Sequence, residues 1–318
     1  MSKIRIGIDA MGGDYAPEAV VKGALLAYES LKDDAQIVLL GDQEQIEILL
    51  ATHLPAGQDS PFEIKHCSEV VEMCENPTRA FSSKPDSSLS QGFKMLKDKT
   101  LDSFSSAGNS GAMLVGGFYT VKAIPGIIRP CISSTIPLYD GREALLLDVG
   151  VNADCKPDVL LQFGILGSLF AKHINGIKRP KVALLNIGEE EGKGNMLAQS
   201  TYQLLKEESR FEFIGNIEGR DILFTEADII VTDGFTGNIV LKQLEGMYTL
   251  MRKLKLDHPF LDKFNYENYG GTPILGMNAN VLIGHGISND RAISNMLKLS
   301  SKLVKAKLVE KITDAFQI

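Results

Sequence analysis

One stretch of the sequence, Pro180-Lys-Val-Ala-Leu-Leu-Asn-Ile-Gly-Glu-Glu-Glu-Gly-Lys-Gly-Asn195, decides how the remainder is interpreted. The apolar run from Val182 to Ile187 is typical of a strand that is buried on both faces. Glycines then alternate with charged residues, and glycine adopts tight turns that would strain other residues. Asn195 is a favourable N-cap, and the apolar residues up to Glu208 recur at helical spacing. The stretch therefore predicts a strand, a glycine loop and the start of a helix.

The predicted loop is suited to an anion. Backbone amides and the positive end of a helix dipole would converge there, and Lys193 adds a full charge. The loop is not a Walker A motif, because only three residues separate Gly188 from Gly192 and Gly194 stands where that motif has Ser or Thr. A tight turn with a solvated lysine explains the same residues equally well. The acidic run 189–191 must also point away from a bound phosphate or meet basic groups.

The composition is that of an ordinary globular protein, and it limits the classes of function. The chain has 318 residues, of which 44% are hydrophobic and 23% are charged. This length predicts roughly two lobes, and we expect a single two-lobed α/β enzyme domain over 1–318. The net charge of −7 argues against a nucleic-acid partner. Met1 leads directly into a strand without a signal-peptide core, and Val159–Ala171 is too short to span a bilayer. We therefore expect a cytoplasmic protein.

Cysteine spacing and glycine motifs indicate neither a metal nor a cofactor. The four cysteines show no CxxC or zinc spacing, so reduced and mostly buried thiols are expected. A cysteine nucleophile stays open only at Cys67, which follows His66 in the chain. The dinucleotide motif GxGxxG is absent, as are a GxSxG elbow and a metal cage. We expect no cofactor and no metal.

Units of strand, glycine turn and helix recur along the chain. Ile4, Ile6 and Ile8 form a strand that runs into Asp9-Ala-Met-Gly-Gly-Asp14, and a helix begins near Pro17. Strands that alternate with helices predict a mostly parallel α/β sheet with helices on both faces. Further strands are predicted at 37–40, 62–67, 101–106, 144–149, 211–214, 228–231 and 281–283.

Three further segments carry definite expectations. Residues 77–86 are predicted to be irregular, with Asp86 as the cap of the next helix. Residues 215–221 are predicted to be a loop because they contain two glycines and an asparagine. A single long terminal helix is predicted from Asp290 to Thr313, apolar on one side and rich in lysine.

At least six predicted strand ends carry glycine together with Asn, Asp or His. The carboxyl ends of parallel strands meet at one edge of a sheet, where ligands of open α/β folds bind. Six such ends favour a binding crevice over a set of unrelated turns. The crevice would hold and polarise an anionic or carbonyl ligand through the amides of the turns, six asparagines, three acids and two cations. A bound phosphate would itself serve as the nucleophile, so that the protein supplies proximity and oxyanion stabilisation.

Seven segments together resemble one family, the PlsX family, over nearly the whole chain and in the family's order. The segments are Asp9-Ala-Met-Gly-Gly-Asp14, Ser106-Ala-Gly-Asn109, Leu147-Asp-Val-Gly150, Leu185-Asn-Ile-Gly-Glu-Glu-Glu-Gly-Lys-Gly-Asn195, Ile214-Gly-Asn-Ile-Glu-Gly-Arg-Asp221, Thr232-Asp-Gly-Phe-Thr-Gly-Asn238 and Tyr269-Gly-Gly-Thr-Pro273. The family comprises the acyl-carrier-protein:phosphate acyltransferases of bacterial phospholipid synthesis.

The resemblance implies a reaction, partners and a fold. An acyl group would pass from acyl-carrier protein to inorganic phosphate, which gives acyl phosphate and free carrier. The fold would be similar to isocitrate and isopropylmalate dehydrogenases and to phosphotransacetylases, and the protein would be a homodimer. Peripheral contact with the inner face of the membrane, and with a downstream acyltransferase that forms acylglycerol phosphate, is part of the same expectation.

The inventory of polar strand ends gives the predicted site. The predicted catalytic residues are Lys193, Asn195, Asp233 and His285; the imidazole of His285 would protonate the leaving thiolate. Arg220 would serve the same anion as Lys193, unless it pairs with Glu218 or Asp221. The predicted substrate-binding residues are Asp9, Gly12, Gly13, Asp14, Asn109, Ser110, Gly111, Asp148, Asn152, Asn186, Gly188, Gly192, Gly194, Asn216, Glu218, Arg220, Gly234, Thr236, Gly237 and Asn238.

The sequence departs from the family pattern in places. Ser82 and Ser83 stand where basic residues are usual, and Ser110 replaces a common Thr. The helical protrusion predicted at 246–269 is shorter than usual; its mixed apolar and basic residues suit a membrane contact, a dimer contact or a docking face for the carrier. Two other functions stay open, a coenzyme A-dependent short-chain phosphotransacylase and a non-catalytic scaffold for carrier protein or membrane.

Overall fold

The computed structural model describes residues 3–55 and 57–317. Residues 1, 2, 56 and 318, which the predicted domain also includes, lie outside the described residues. Two compact units divide the chain. Unit 1 comprises Met1–Ala123 and Tyr266–Val309, and unit 2 comprises Ile124–Asn265 and Glu310–Ile318.

Strands and helices alternate along most of the described chain, as the sequence predicts. The strands are β1 Ile4–Asp9, β2 Ala35–Gly41, β3 Glu63–His66, β4 Ser103–Ser106, β5 Cys131–Pro137, β6 Glu143–Leu147, β7 Lys181–Asn186, β8 Glu212–Glu218, β9 Ile229–Val231, β10 Thr272–Leu275 and β11 Asn280–Ile283. The α-helices are α1 Glu18–Leu31, α2 Gln43–His53, α3 Pro77–Ser83, α4 Ser88–Lys97, α5 Ser110–Gly116, α6 Pro157–His173, α7 Met196–Glu207, α8 Gly234–Lys253, α9 Pro259–Asp262, α10 Asp290–Lys305 and α11 Leu308–Phe316.

In unit 1 the strands follow the order β3-β2-β1-β4-β11-β10. All neighbours are parallel except β10 and β11, which are antiparallel. Helix α1 packs against α10 so closely that a Cβ on Gly23 would lie 2.5 Å from Ile293 Cβ. Phe93 of α4 meets Phe104 of β4 edge to face, with ring centroids 5.4 Å apart. Helices and sheet therefore share one dry core.

In unit 2 the order is β5-β6-β9-β7-β8, and β5 alone of these strands is antiparallel to its neighbour. Helix α6 covers one face, where a Cβ on Gly167 would lie 2.8 Å from side-chain atoms of Leu147 and Ile229. Alternate strand residues, such as Leu146 and Ile230, form a core on the other face, against which α8 packs. Helices on both faces confirm the predicted fold class.

Several local predictions were wrong for identifiable reasons. Residues 77–83 form α3, because Asn76 caps Arg79 N at 3.1 Å and Pro77 takes the first helical position. Ser87, and not Asp86, caps α4; the Asp86 carboxylate accepts hydrogen bonds from Ser68.

The remaining differences concern where elements end. Strand β8 continues through residues 215–218, which were predicted to be a loop, because they pair with β7 after a shift of register. The terminal helix is two helices, α10 and α11, since Lys307 has a φ of 52° that a helix cannot continue through. No helix in residues 3–55 and 57–317 is long and apolar enough to cross a membrane.

Candidate active site

The loops that follow β6, β7, β8 and β9 leave unit 2 at one edge, because these four strands are parallel neighbours. All the predicted site residues of unit 2 lie at this edge. The structure thus brings together Asp148, Asn152, Asn186, Gly188, Gly192, Lys193, Gly194, Asn195, Asn216, Glu218, Arg220, Asp233, Gly234, Thr236, Gly237 and Asn238. The other predicted residues, including His285, belong to unit 1.

The glycine loop, residues 187–195, is held at its base by two asparagines. Asn186 Nδ2 donates to Asn216 Oδ1 at 3.1 Å and to the Lys193 carbonyl at 3.2 Å. Asn216 Nδ2 donates to the Glu190 carbonyl at 2.9 Å. Gly194 has a φ of +86°, a conformation that favours glycine. Both asparagines, predicted as substrate ligands, hold the loop itself.

Gln199 of α7 holds the same loop and was not singled out from the sequence. Its Nε2 donates to the Gly192 carbonyl at 2.9 Å and to the Gly194 carbonyl at 3.0 Å. Asn195 caps α7, because its side chain accepts from Ala198 N at 2.9 Å. The one signal in the sequence is that Gln199 follows the predicted N-cap by four residues, which places it one turn above the loop.

Two of the three acidic residues of the loop, Glu190 and Glu191, have basic or amide partners. Glu191 accepts from Gln203 at 2.8 Å and from Lys206 at 3.0 Å, and these hydrogen bonds lower the pKa of its carboxyl. Glu190 Oε2 lies 3.8 Å from Lys193 Nζ. Glu190 and Glu191 therefore meet basic groups within unit 2, and the partner of Glu190 is Lys193 of the loop itself.

Asp148 organises a second cluster after β6. Its carboxylate is fully buried and accepts hydrogen bonds from Ile132 N at 3.0 Å, Val151 N at 3.1 Å and both Asn152 N and Asn152 Nδ2 at 2.6 and 2.9 Å. Burial raises the pKa of Asp148 although these hydrogen bonds act in the opposite direction. Asp148 and Asn152 are thus bonded within the protein, and they shape the backbone of the turn.

The first turn of α8 packs directly on this cluster. Asp233 caps the helix, because its carboxylate accepts hydrogen bonds from Thr236 N at 2.8 Å and from Thr236 Oγ1 at 2.9 Å. Gly237 lies so near that a Cβ would be 1.9 Å from the Asp148 carbonyl oxygen, and Asn238 Nδ2 donates to the Val149 carbonyl at 3.1 Å. Helix capping and close packing therefore account for the residue types in the segment 232–238.

Arg220 adopts the alternative that the sequence left open. It forms an ion pair with Glu218 and lies 3.9 Å from Asp221, and its side chain is 77% exposed. The structure therefore gives its charge two partners in its own turn, and it gives no support to a role with the same anion as Lys193.

In unit 1 the corresponding turn after β1 is built around Asp9. Asp9 Oδ2 accepts from Ser106 Oγ at 2.7 Å, Oδ1 accepts from Met11 N at 3.0 Å, and burial raises the pKa of the carboxyl. A Cβ on Gly12 would lie 2.3 Å from Asp9 Oδ2. Gly13 has a φ of +116°, and Asp14 N donates to the carbonyl of residue 286 at 2.7 Å.

Asn109 also serves the protein backbone. Its Oδ1 caps α5 at Ala112 N, and its Nδ2 lies within 3.0–3.2 Å of three carbonyls in the segment 72–75. Ser110 is exposed, and Gly111 packs beside Pro77. The His285 ring lies against Tyr266, with centroids 5.2 Å apart.

Comparison with known proteins decides the family. The family model described as "Fatty acid synthesis protein" matches residues 4–259. A phosphate acyltransferase from Dictyoglomus turgidum is 41% identical over 98% of this chain and 97% of its own length. A phosphate acyltransferase from Oceanobacillus iheyensis is also 41% identical, over 98% of this chain and 96% of its own length.

The chain belongs to the PlsX family of phosphate acyltransferases. It is therefore an enzyme, and the acyltransferase class predicted from the sequence is confirmed. Among solved structures, a phosphotransacetylase from Streptococcus pyogenes superposes with a TM-score of 0.67 at 17% identity, over 97% of this chain and 94% of that one. At this identity the likeness shows the fold, which is the phosphotransacetylase-like fold that the resemblance implied.

A separate polar cavity of ≈ 390 Å³ opens at the other edge of the unit 2 sheet, where β6, β7 and β9 begin. Its charges pair with one another: Arg142 meets Asp140 at 2.7 Å and Lys181 meets Glu226 at 2.7 Å. This network joins the starts of adjacent strands and lies at the opposite edge from the glycine loop.

Proposed function

We propose that the enzyme transfers a fatty acyl group from acyl-carrier protein to inorganic phosphate. A phosphate oxygen bonds to the thioester carbonyl carbon and the carbon–sulfur bond breaks. The electron pair leaves with sulfur, which takes up a proton to give the free carrier thiol. No activated side chain is needed, because phosphate is partly a dianion near neutral pH and the protein supplies position and charge stabilisation.

The glycine loop carries this proposal. Lys193, half exposed, stands between two glycines directly before the start of α7, a helix of 12 residues. The free amides of a helix's first turn and a lysine charge together favour a dianion. Asn195 would stabilise the oxyanion, whereas Asp233 would position the first turn of α8. The role of His285, a residue of unit 1, as the proton donor to the leaving thiolate stays a prediction from the sequence.

The test measures thiol release from long-chain acyl-carrier protein, with and without inorganic phosphate, and compares it with release from short-chain and long-chain acyl-coenzyme A. We expect release that requires phosphate, forms acyl phosphate and is fastest with the carrier. Efficient turnover of short-chain acyl-coenzyme A alone would replace this proposal by the coenzyme A-dependent phosphotransacylase. Thiol release at the same rate with and without phosphate would overturn both the carrier-dependent and the coenzyme A-dependent reaction.

Lys193→Ala tests the site separately from the reaction. Removal of the one cation in the loop should raise the KM for phosphate about tenfold or more, because a charge-assisted contact to phosphate is lost. The control is Lys172→Ala, which removes an exposed lysine of α6. Unchanged phosphate kinetics in Lys193→Ala would remove Lys193 from the site.

We also propose that a second copy of the chain covers α8. Phe235, Ile239, Leu250 and Leu254 recur at helical spacing and are 49–64% exposed. Within the predicted protrusion 246–269, Phe260 packs on Tyr139 with centroids 6.0 Å apart, which leaves that ring less suited to membrane insertion. Light scattering after size exclusion should show a dimer that Ile239→Asp dissociates, with Ile128→Asp as the control at an exposed apolar residue outside α8. A monomeric wild type that binds vesicles would instead favour membrane contact.

A further inference from the structure

We propose that Gln199 is a positioning residue that fixes the direction of the peptide groups in the glycine loop. The inference rests on the proposed phosphate site and adds the device that keeps its amides turned outward. Gln199 is exposed, lies on α7 and has no place in the motif that identifies the loop.

The argument starts from the carbonyls. Three consecutive carbonyls of the loop accept hydrogen bonds from side-chain amides: those of Gly192 and Gly194 from Gln199, and that of Lys193 from Asn186. The distances are 2.9, 3.0 and 3.2 Å. These side chains reach the loop from α7 and from the end of β7, so the Gly192 and Gly194 carbonyls point at α7 and the Lys193 carbonyl points at the end of β7.

The direction of the amides follows from peptide geometry. In a planar trans peptide the carbonyl of one residue and the N–H of the next point in opposite directions. A Lys193 carbonyl held by Asn186 turns the Gly194 N–H away, and a Gly194 carbonyl held by Gln199 turns the Asn195 N–H away. The N–H groups of Gly194 and Asn195 therefore point away from the side chains that hold the carbonyls. In the chain they come directly before the free N–H groups at the start of α7.

Gln199 also prevents the inverse arrangement. If the peptide between Gly194 and Asn195 flipped, its carbonyl would face the anion, and a partial negative charge would replace a donor. The flip would rotate ψ of Gly194 and φ of Asn195, and glycine and asparagine are the residues that tolerate such changes best. A bidentate contact from a helical side chain opposes it, so Gln199 restricts a loop that its own glycines leave free.

The chain provides a matched control one turn further along the same helix. Gln203 is also exposed and also contacts the loop, but its Nε2 donates to the Glu191 carboxylate at 2.8 Å and to no loop carbonyl. Gln199→Met and Gln203→Met keep side-chain length and remove the donor in both cases. Gln199→Met removes the hydrogen bonds to two backbone carbonyls of the loop, whereas Gln203→Met removes only a hydrogen bond to a side chain.

The experiment measures initial rates with phosphate varied at saturating acyl-carrier protein, and with the carrier varied at saturating phosphate. For Gln199→Met we expect a KM for phosphate raised about tenfold, since two hydrogen bonds that orient the donors are lost, and a KM for the carrier within about twofold of wild type. Gln203→Met should keep both constants. Inorganic phosphate should raise the Tm of wild type and Gln203→Met more than that of Gln199→Met.

The outcomes separate this inference from the function on which it rests. A raised phosphate KM in Lys193→Ala, together with wild-type phosphate kinetics in Gln199→Met, would leave the proposed function standing and overturn the role of Gln199. An equal rise of both KM values, or a lower Tm with an unchanged KM for phosphate, would make Gln199 merely structural. Wild-type enzyme that releases thiol without phosphate would overturn the function and the inference together.

Discussion

Asn186 Nδ2 donates a hydrogen bond to Asn216 Oδ1 at 3.1 Å and thereby joins the neighbouring strands β7 and β8 at the base of the glycine loop. The same two side chains reach the carbonyls of Lys193 and Glu190. The loop is therefore fixed by the sheet beneath it, and its conformation is set before any ligand binds. Such pre-organisation lowers the cost of ordering a loop on binding.

Asn216→Ala should weaken this support. The variant loses one hydrogen bond to Asn186 and one to the Glu190 carbonyl, so we expect a loss of about 1–2 kcal/mol in unfolding free energy and a raised KM for phosphate. Urea unfolding and steady-state kinetics measure the two effects. Asn280→Ala, which removes one amide contact to the Asp102 carbonyl in unit 1, is the control. A stability loss with unchanged phosphate KM would confine Asn216 to a structural role.

Gly194→Ala and Gly192→Ala should differ sharply although they lie two residues apart. A Cβ on Gly194 would lie 2.3 Å from Asn186 Oδ1 in a backbone with a φ of +86°, whereas a Cβ on Gly192 meets nothing within 4 Å. We expect Gly194→Ala to cost roughly 1–3 kcal/mol and to impair phosphate use, because strain and overlap add. Gly192→Ala should keep stability and kinetics, and equal behaviour of the two variants would contradict the loop geometry.

The alternation of strands and helices was predictable because buried parallel strands appear as continuous apolar runs. β6, β7 and β9 each contain such a run, followed by glycine within a few residues. The antiparallel strands were missed: β5 ends at Pro137 and β10 contains Pro273, and both depend on pairing with a distant partner. Pairing is a tertiary interaction, so local composition gives little sign of it.

The sequence predicted which polar residues lie at strand ends, but it did not predict what these residues contact. The sequence shows the same polar residue at a strand end whether its side chain contacts a ligand or the backbone of its own turn. Asp148 and Asn109 both proved to be bonded to backbone groups of the protein, which their sequence motifs do not reveal. Gln199 was missed for the opposite reason, since a glutamine on an amphipathic helix resembles any solvent-facing residue until its contacts are seen.

Asp9→Asn should change how stability depends on pH. Burial raises the pKa of Asp9 above its ordinary value of 3.8, so the folded protein binds this proton more tightly than the unfolded chain does. The stabilising contribution is complete below about pH 3.8 and is lost as the pH rises through the folded-state pKa. The unfolding free energy of wild type relative to Asp9→Asn should therefore fall with rising pH above this value. A difference that stays flat or rises would show that hydrogen bonds from Ser106 and Met11 outweigh burial.

Alkylation should discriminate direct transfer from a covalent acyl-cysteine. Burial raises the pKa of Cys67 to about 12 and that of Cys155 to about 11, and raises the pKa of Cys131 as well, so these thiols stay protonated near pH 8. Cys74 is exposed. Iodoacetamide should therefore modify Cys74 first in the folded enzyme, as peptide mass spectrometry would show, and phosphate-dependent thiol release should survive. Cys74→Ser is the control, because it should resist the reagent and keep full activity. Loss of activity that tracks modification of Cys67 would restore the cysteine nucleophile that His66 suggested.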